Sequence, residues 1–185
     1  MYEMIIPRLG RFADVCRRVR VPVIHVGLDR LPDGKSDSPS WLRLRMRAAK
    51  ASSADNPEVW RVAIQGTWGA EFVGALAPKP EDFIVKKFRS SAFRETNLDL
   101  LLRSNGIRTV VISGCTTEGC VESTVRDAGF YDYFPVVLED CVGSDVPKLH
   151  DASMLVMAAY RADVAQSEQI AEIWLKAQTA PPKLK

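Results

Sequence analysis

Residues 108–113, Arg-Thr-Val-Val-Ile-Ser, form an apolar run that passes straight into Gly114-Cys-Thr-Thr-Glu-Gly-Cys120, after which Val121, Val125 and Ala128 recur at helical spacing. A buried strand that turns into a helix through a short polar turn is half of a βα unit. It needs a parallel partner strand, reached only by a long crossover. The rest of the chain supplies such partners. The periodicity predicts a helix over 5–20 with Leu9, Phe12, Val15 and Cys16 on one face. Strands follow over 21–26, with Pro22 at its first positions, and over 83–86. A helix over 97–104 stops at Asn105-Gly106, and the run just described extends the next strand to 107–113. Further on, a helix is expected over 118–130, a strand over 134–139, a helix over 147–161 opened by Pro147, a short edge strand over 163–165 and a helix over 169–177. From 27 to about 80 the chain reads as irregular, rich in Ser, Pro, Asp and Gly, with 68–76 as a short helix; the tail over 179–185 reads as loose. Strands alternating with helices predict one α/β domain over 1–185: a three-layer, Rossmann-like fold with a mainly parallel sheet flanked by helices.

Composition narrows the function. Hydrophobic residues are 46% and charged residues 26% of the chain, with a net charge of +2, too small to mark a nucleic-acid or membrane surface. Four cysteines at irregular spacing and only two histidines give neither a zinc ligand pattern nor a disulfide framework, so no metal and no cofactor are expected. A reducing, cytoplasmic setting is the expectation. No apolar run approaches the roughly 18 residues of a membrane span, and the N-terminus lacks the layout of a signal peptide.

Sites in open parallel sheets lie beyond the carboxyl ends of the strands. Three polar segments should meet there: the turn after Val26, the stretch Lys86 to Phe93 and the turn from Gly114 to Cys120. Free cysteines are usually small buried hydrophobes, and Cys16 and Cys141 read that way. Cys120 differs. It sits at a strand-to-helix junction, facing unpaired N–H groups and the positive end of the helix dipole, and Gly114 and Gly119 allow close backbone approach. These features suit a nucleophile. A lysine at the exit of the 83–86 strand, Lys86 or Lys87, reaches the same mouth if it is not a solvated surface lysine. His25 reads as a core or supporting residue, and His150 sits on a later helix.

These segments together resemble the isochorismatase-like cysteine hydrolases, over about residues 5–174. The motifs occur in the family's order: Val-Pro-Val-Ile-His-Val26, Leu-Ala-Pro78, Lys87-Phe-Arg-Ser-Ser-Ala-Phe93, Thr96-Asn-Leu-Asp-Leu100 and Gly114 through Ala128. The resemblance implies Cys120 as nucleophile, Lys87 rather than Lys86 as its partner, a cis peptide at Cys115–Thr116, and an oxyanion hole from the Thr116 and Cys120 N–H groups. It implies a substrate pocket near Arg89, Phe93, Thr117 and Glu118. The implied substrate is a small amide, ureido or carbamoyl compound, cleaved at a C–N bond through a thioester, in a homo-oligomer that binds neither nucleic acid nor membrane. The stretch from Cys120 to Ala128 followed by Tyr131-Asp-Tyr-Phe looks closest to the ureidoacrylate and carbamoyl-type members. One part of the pattern has no match. The family's base is an aspartate ending its first, central strand, and residues 1–4 supply neither; Asp14 and Asp29 fall elsewhere. The expectation is therefore a sheet lacking a central strand and an impaired hydrolase. Two other readings stay open: a non-catalytic scaffold, which the missing aspartate suits, and vinyl-ether hydrolysis, which needs no cysteine nucleophile.

Overall fold

In the computed structural model, which describes residues 2–51 and 62–179, helices and strands alternate as the pattern requires. The strands are β1 (Ile24–Leu28), β2 (Phe83–Lys87), β3 (Thr109–Cys115), β4 (Phe134–Gly143) and β5 (Asp163–Ala165). The helices are α1 (Tyr2–Arg18), α2 (Pro39–Ala51), α3 (Leu98–Ser104), α4 (Glu122–Phe130), α5 (Pro147–Tyr160) and α6 (Ser167–Thr179). All strand pairs are parallel: β1 with β2, β3 with β4, and β4 with β5. Alternation along β4 builds the layers. Val137 packs with Val121, Val125, Val142 and Met157 towards α4 and α5, while Leu138 packs with Phe12, Cys16 and Cys141 beneath α1 and α6. This is an α/β fold of parallel sheet flanked by helices on both faces.

The sheet comes in two pieces. Among the described residues, β1–β2 and β3–β4–β5 share no ladder. They meet through one apolar cluster, where Ile24 and Val26 of β1 and Val110 and Ile112 of β3 pack around Val85, Ala92, Phe93, Leu98, Leu102, Ala128 and Tyr133. Strands of a parallel sheet are normally buried on both faces. Here Val137 and Leu138 of β4 are fully buried, whereas Ile24, Val26, Val110, Val111 and Ile112 remain half-exposed.

Other differences from the sequence reading have local causes. Within the stretch expected to be irregular, α2 forms because Ser38 caps it through a Trp41 N–H bond to Ser38 Oγ (3.3 Å) and Pro39 starts it. Residues 68–76 form two separate 3₁₀ turns, Trp68–Ala70 and Gly74–Leu76. The first strand starts at Ile24, beyond Pro22. β4 runs past Glu139 to Gly143, so Cys141 lies inside it. The polar Glu139-Asp140 pair is accommodated because Asp140 accepts bonds from the Ser167 N–H and hydroxyl (2.8 and 2.6 Å), and the register against β3 slips between Ile112 and Gly114. The tail over 180–185 lies outside the described residues.

One carboxylate fastens the entry to β2. Asp82, whose side chain is 1% exposed, accepts two bonds from Arg17 of α1 (3.0 and 2.6 Å) and one from the Lys79 N–H (2.8 Å), and lies 3.0 Å from His25 Nε2 of β1. The Arg17 bonds, above all, hold its carboxyl well below the usual carboxylate range. A depressed carboxylate stabilises the fold above the unfolded value of about 4 and loses that contribution as the pH falls. Asp82→Ala should therefore lower stability at pH 7 by about 1–3 kcal/mol, since Arg17 loses two charge-assisted bonds and keeps only its contact with exposed Asp14. In urea titrations the gap between wild type and variant should narrow once the pH falls below about 4.

Candidate active site

The site is built at the carboxyl ends of β2 and β3. Side chains alternate along β2, so Val85 and Lys87 turn inward, with Lys87 only 3% exposed, while Ile84 and Lys86 face out. Lys86 lies beside the Phe72 ring, 5.3 Å from its centroid. The Lys87 ammonium donates to Arg89 O (2.8 Å), Ser90 O (2.7 Å) and Cys120 Sγ (3.1 Å), which uses its three N–H donors. The structure thus brings Lys87, and not Lys86, to the cysteine. Among the described residues no carboxylate pairs with either Lys87 or Cys120.

The turn that carries Cys120 is tightly shaped. Gly114 adopts a φ of 114°, which disfavours any side chain, and the Cys115–Thr116 peptide is cis. A π-turn, Thr117–Val121, then leads into α4. Thr116 O accepts the Gly119 N–H at 3.2 Å and the Val121 N–H at 3.1 Å. The Cys120 N–H between them does not bond this carbonyl. A Cβ on Gly119 would stand 2.7 Å from Thr116 Oγ1, so this position has no room for a larger residue. Behind the nucleophile, the Thr124 hydroxyl donates to Cys120 O (2.7 Å) and accepts the Ala92 N–H (3.0 Å), joining α4 to the segment after β2.

The remaining candidates are distributed unevenly. Arg89 donates to Ser36 O (2.7 Å), bridging to the loop after β1. Phe93 is a core residue, its ring 5.4 Å from that of Tyr131 and 5.5 Å from that of Tyr133. Thr117 is fully buried and its hydroxyl lies 2.9 Å from His150 Nδ1. Glu118 keeps one buried carboxylate oxygen, Oε2, without a hydrogen-bond partner among the described residues. Two elements escaped the sequence reading. Thr124 had a usable signal, because a threonine four residues after Cys120 on a helix can reach back to its carbonyl. The His150–Thr117 contact spans 33 residues and had none.

The Isochorismatase domain family model matches residues 1–169 of the chain. Ureidoacrylate amidohydrolase RutB of Methylorubrum extorquens is 37% identical over 141 residues, which cover 74% of this chain and 56% of that protein. The chain thus spans little more than half the length of this curated relative. Of solved structures, an isochorismatase-like hydrolase from Alkaliphilus metalliredigens matches with a TM-score of 0.75 at 28% identity, covering 93% of this chain and 85% of that one. N-carbamoylsarcosine amidase from Thermoplasma acidophilum matches with a TM-score of 0.69 at 28% identity, covering 90% and 84%.

The four thiols sit in different surroundings. Burial pushes Cys16 and Cys141 up to about 11, and both are nearly or fully enclosed. Cys115 is exposed as a residue, yet partial burial of its thiol, followed by the proximity of Cys120 and Asp145, raises it above the ordinary thiol range. Cys120 alone among them receives an ammonium hydrogen bond. Limited iodoacetamide treatment at neutral pH, mapped by mass spectrometry, should label Cys120 first. Preferential labelling of Cys115, Cys16 or Cys141 would contradict this.

Proposed function

This chain belongs to the isochorismatase family, and on that premise we propose that it is a cysteine-dependent hydrolase of small amide, ureido or carbamoyl C–N bonds. The observation that carries the reading is the 3.1 Å contact between Lys87 Nζ and Cys120 Sγ at the mouth of the sheet. The ammonium that donates to the sulfur holds it at this mouth, where an incoming carbonyl would meet it. The sulfur attacks the carbonyl carbon, and the negative charge that forms on oxygen is received by the Thr116 and Cys120 N–H groups. What supports this is that the Thr116 carbonyl takes the Gly119 and Val121 N–H groups and passes over that of Cys120. Such a donor contributes about 3–4 kcal/mol in comparable enzymes. The C–N bond then breaks, the nitrogen leaves with a proton as ammonia or an amine, and water hydrolyses the thioester. Glu118, Thr117, Arg89 and Phe93 remain our candidates for shaping the pocket.

The leaving nitrogen needs a proton donor, and the described residues put no carboxylate on the Cys120–Lys87 pair. We assign that part to an aspartate at the end of a further strand between β1 and β3, as the family resemblance implies, so this chain alone should hydrolyse amides poorly. Vinyl-ether hydrolysis is disfavoured by the presence of Cys120. The scaffold reading is favoured by the missing carboxylate alone.

Ammonia release from a panel of ureido and carbamoyl compounds tests these alternatives, using the chain with and without an added N-terminal strand ending in Asp. The extended chain should be faster by about 10²–10⁴-fold, the usual contribution of a general acid–base group. Cys120→Ser in the extended chain should abolish turnover. An extended chain that is inactive on every compound, while Cys120 still alkylates normally, would favour the scaffold. A short chain of full activity would mean that another carboxylate is the base.

A further inference from the structure

The turn that presents Cys120 is held at two separate points. Its rear half is fixed through Cys120 itself, whose carbonyl accepts the Thr124 hydroxyl (2.7 Å) and whose sulfur accepts the Lys87 ammonium (3.1 Å). Its front half, Thr116 to Gly119, has one side-chain hydrogen bond to another element among the described residues: the Thr117 hydroxyl to His150 Nδ1 at 2.9 Å. Thr117 is completely buried, so its hydroxyl has no water to turn to, and losing the partner leaves an unsatisfied polar group. His150 is well placed to hold it. It lies in the first turn of α5, where its own N–H bonds Val146 O (3.0 Å), and α5 packs directly against the Cys120 turn. The contact tolerates either protonation state: neutral Nδ1 accepts the Thr117 O–H, and a protonated Nδ1 donates to the Thr117 oxygen.

We infer that His150 is a positioning residue: through Thr117 it fixes the Thr116 N–H as half of the oxyanion hole, without acting on the thiol. This rests on the hydrolase reading above. It requires nucleophile reactivity and oxyanion stabilisation to be separable. Alkylation by iodoacetamide needs the thiolate but no oxyanion hole. Acylation by p-nitrophenyl acetate needs both. In that step the Cys120 sulfur bonds to the acetyl carbon, the C–O bond to nitrophenolate breaks, and nitrophenolate leaves as an anion, so no acid is required.

The test compares both rates in wild type, His150→Ala, His150→Asn and Thr117→Val. In His150→Ala, acylation should slow by about 10–100-fold, since a misplacement of about 1 Å costs some 10²-fold, while alkylation stays within about twofold of wild type. Thr117→Val should reproduce that split. Asparagine, whose amide can bond the threonine hydroxyl, should restore most of the acylation rate. Thr117→Val and His150→Asn keep the packing volume closer to wild type, so they decide the matter if His150→Ala does not fold. Equal loss of both rates would assign His150 a purely structural role. Unchanged acylation would remove its role altogether. A wild-type chain that alkylates but is never acylated would overturn the hydrolase reading itself, a result distinct from either.

Discussion

Burial of the Lys87 ammonium is the constraint around which the rest of the site is arranged. A charge 3% exposed at the end of a strand is costly unless every donor is met. Here no carboxylate answers it among the described residues. Two main-chain carbonyls, Arg89 O and Ser90 O, and one sulfur do so instead. The chain after β2 must curl back over its own last residue to present those carbonyls. That curl delivers the Ala92 N–H to Thr124, and Thr124 in turn holds the Cys120 carbonyl. A single buried cation thus determines the path of the segment from Phe88 to Phe93 and ties it to the first turn of α4.

The second constraint is the shape of the backbone beneath the cysteine. An ordinary α-helical start would give the Cys120 N–H to the carbonyl of Thr116. The π-turn gives that carbonyl to Gly119 and Val121, so the intervening amide does not bond it. A side chain at position 119 would force the Thr116 hydroxyl to move, and a residue tolerant of positive φ is needed at Gly114. Wide helical turns of this kind are common at functional sites for this reason: they free donors without unravelling the helix.

The layers and the parallel pairing were legible in the sequence because each rests on short-range signals, whereas the meeting of Lys87 with Cys120 was legible only through the family resemblance. Alternation along the strand lets only one of Lys86 and Lys87 turn inward, and a strand running into Gly114 and then a helix places the thiol at the sheet's mouth. What was not legible depends on partners distant in sequence. β4 continues through Glu139 and Asp140 because Ser167 meets the aspartate from the next helix. α2 was obscured by its arginines, although Ser38-Pro39 marks its start. Phe93 packs against Tyr131 and Tyr133, an aromatic stack that no local pattern announces.

The break in the sheet has a consequence for the distance that matters most. Lys87 belongs to the β1–β2 piece, whereas Cys120 follows the β3–β4–β5 piece. Their 3.1 Å separation is therefore not inherited from a continuous hydrogen-bonded ladder, as it would be for groups on neighbouring strands. It is held by contacts outside any ladder, among them the apolar cluster shared by Ile24, Val26, Val110 and Ile112 and the Thr124 hydroxyl that joins the Ala92 N–H to the Cys120 carbonyl. Any molecule that engages both residues acts as a suture across the two pieces, so binding at this mouth adds directly to the cohesion of the domain.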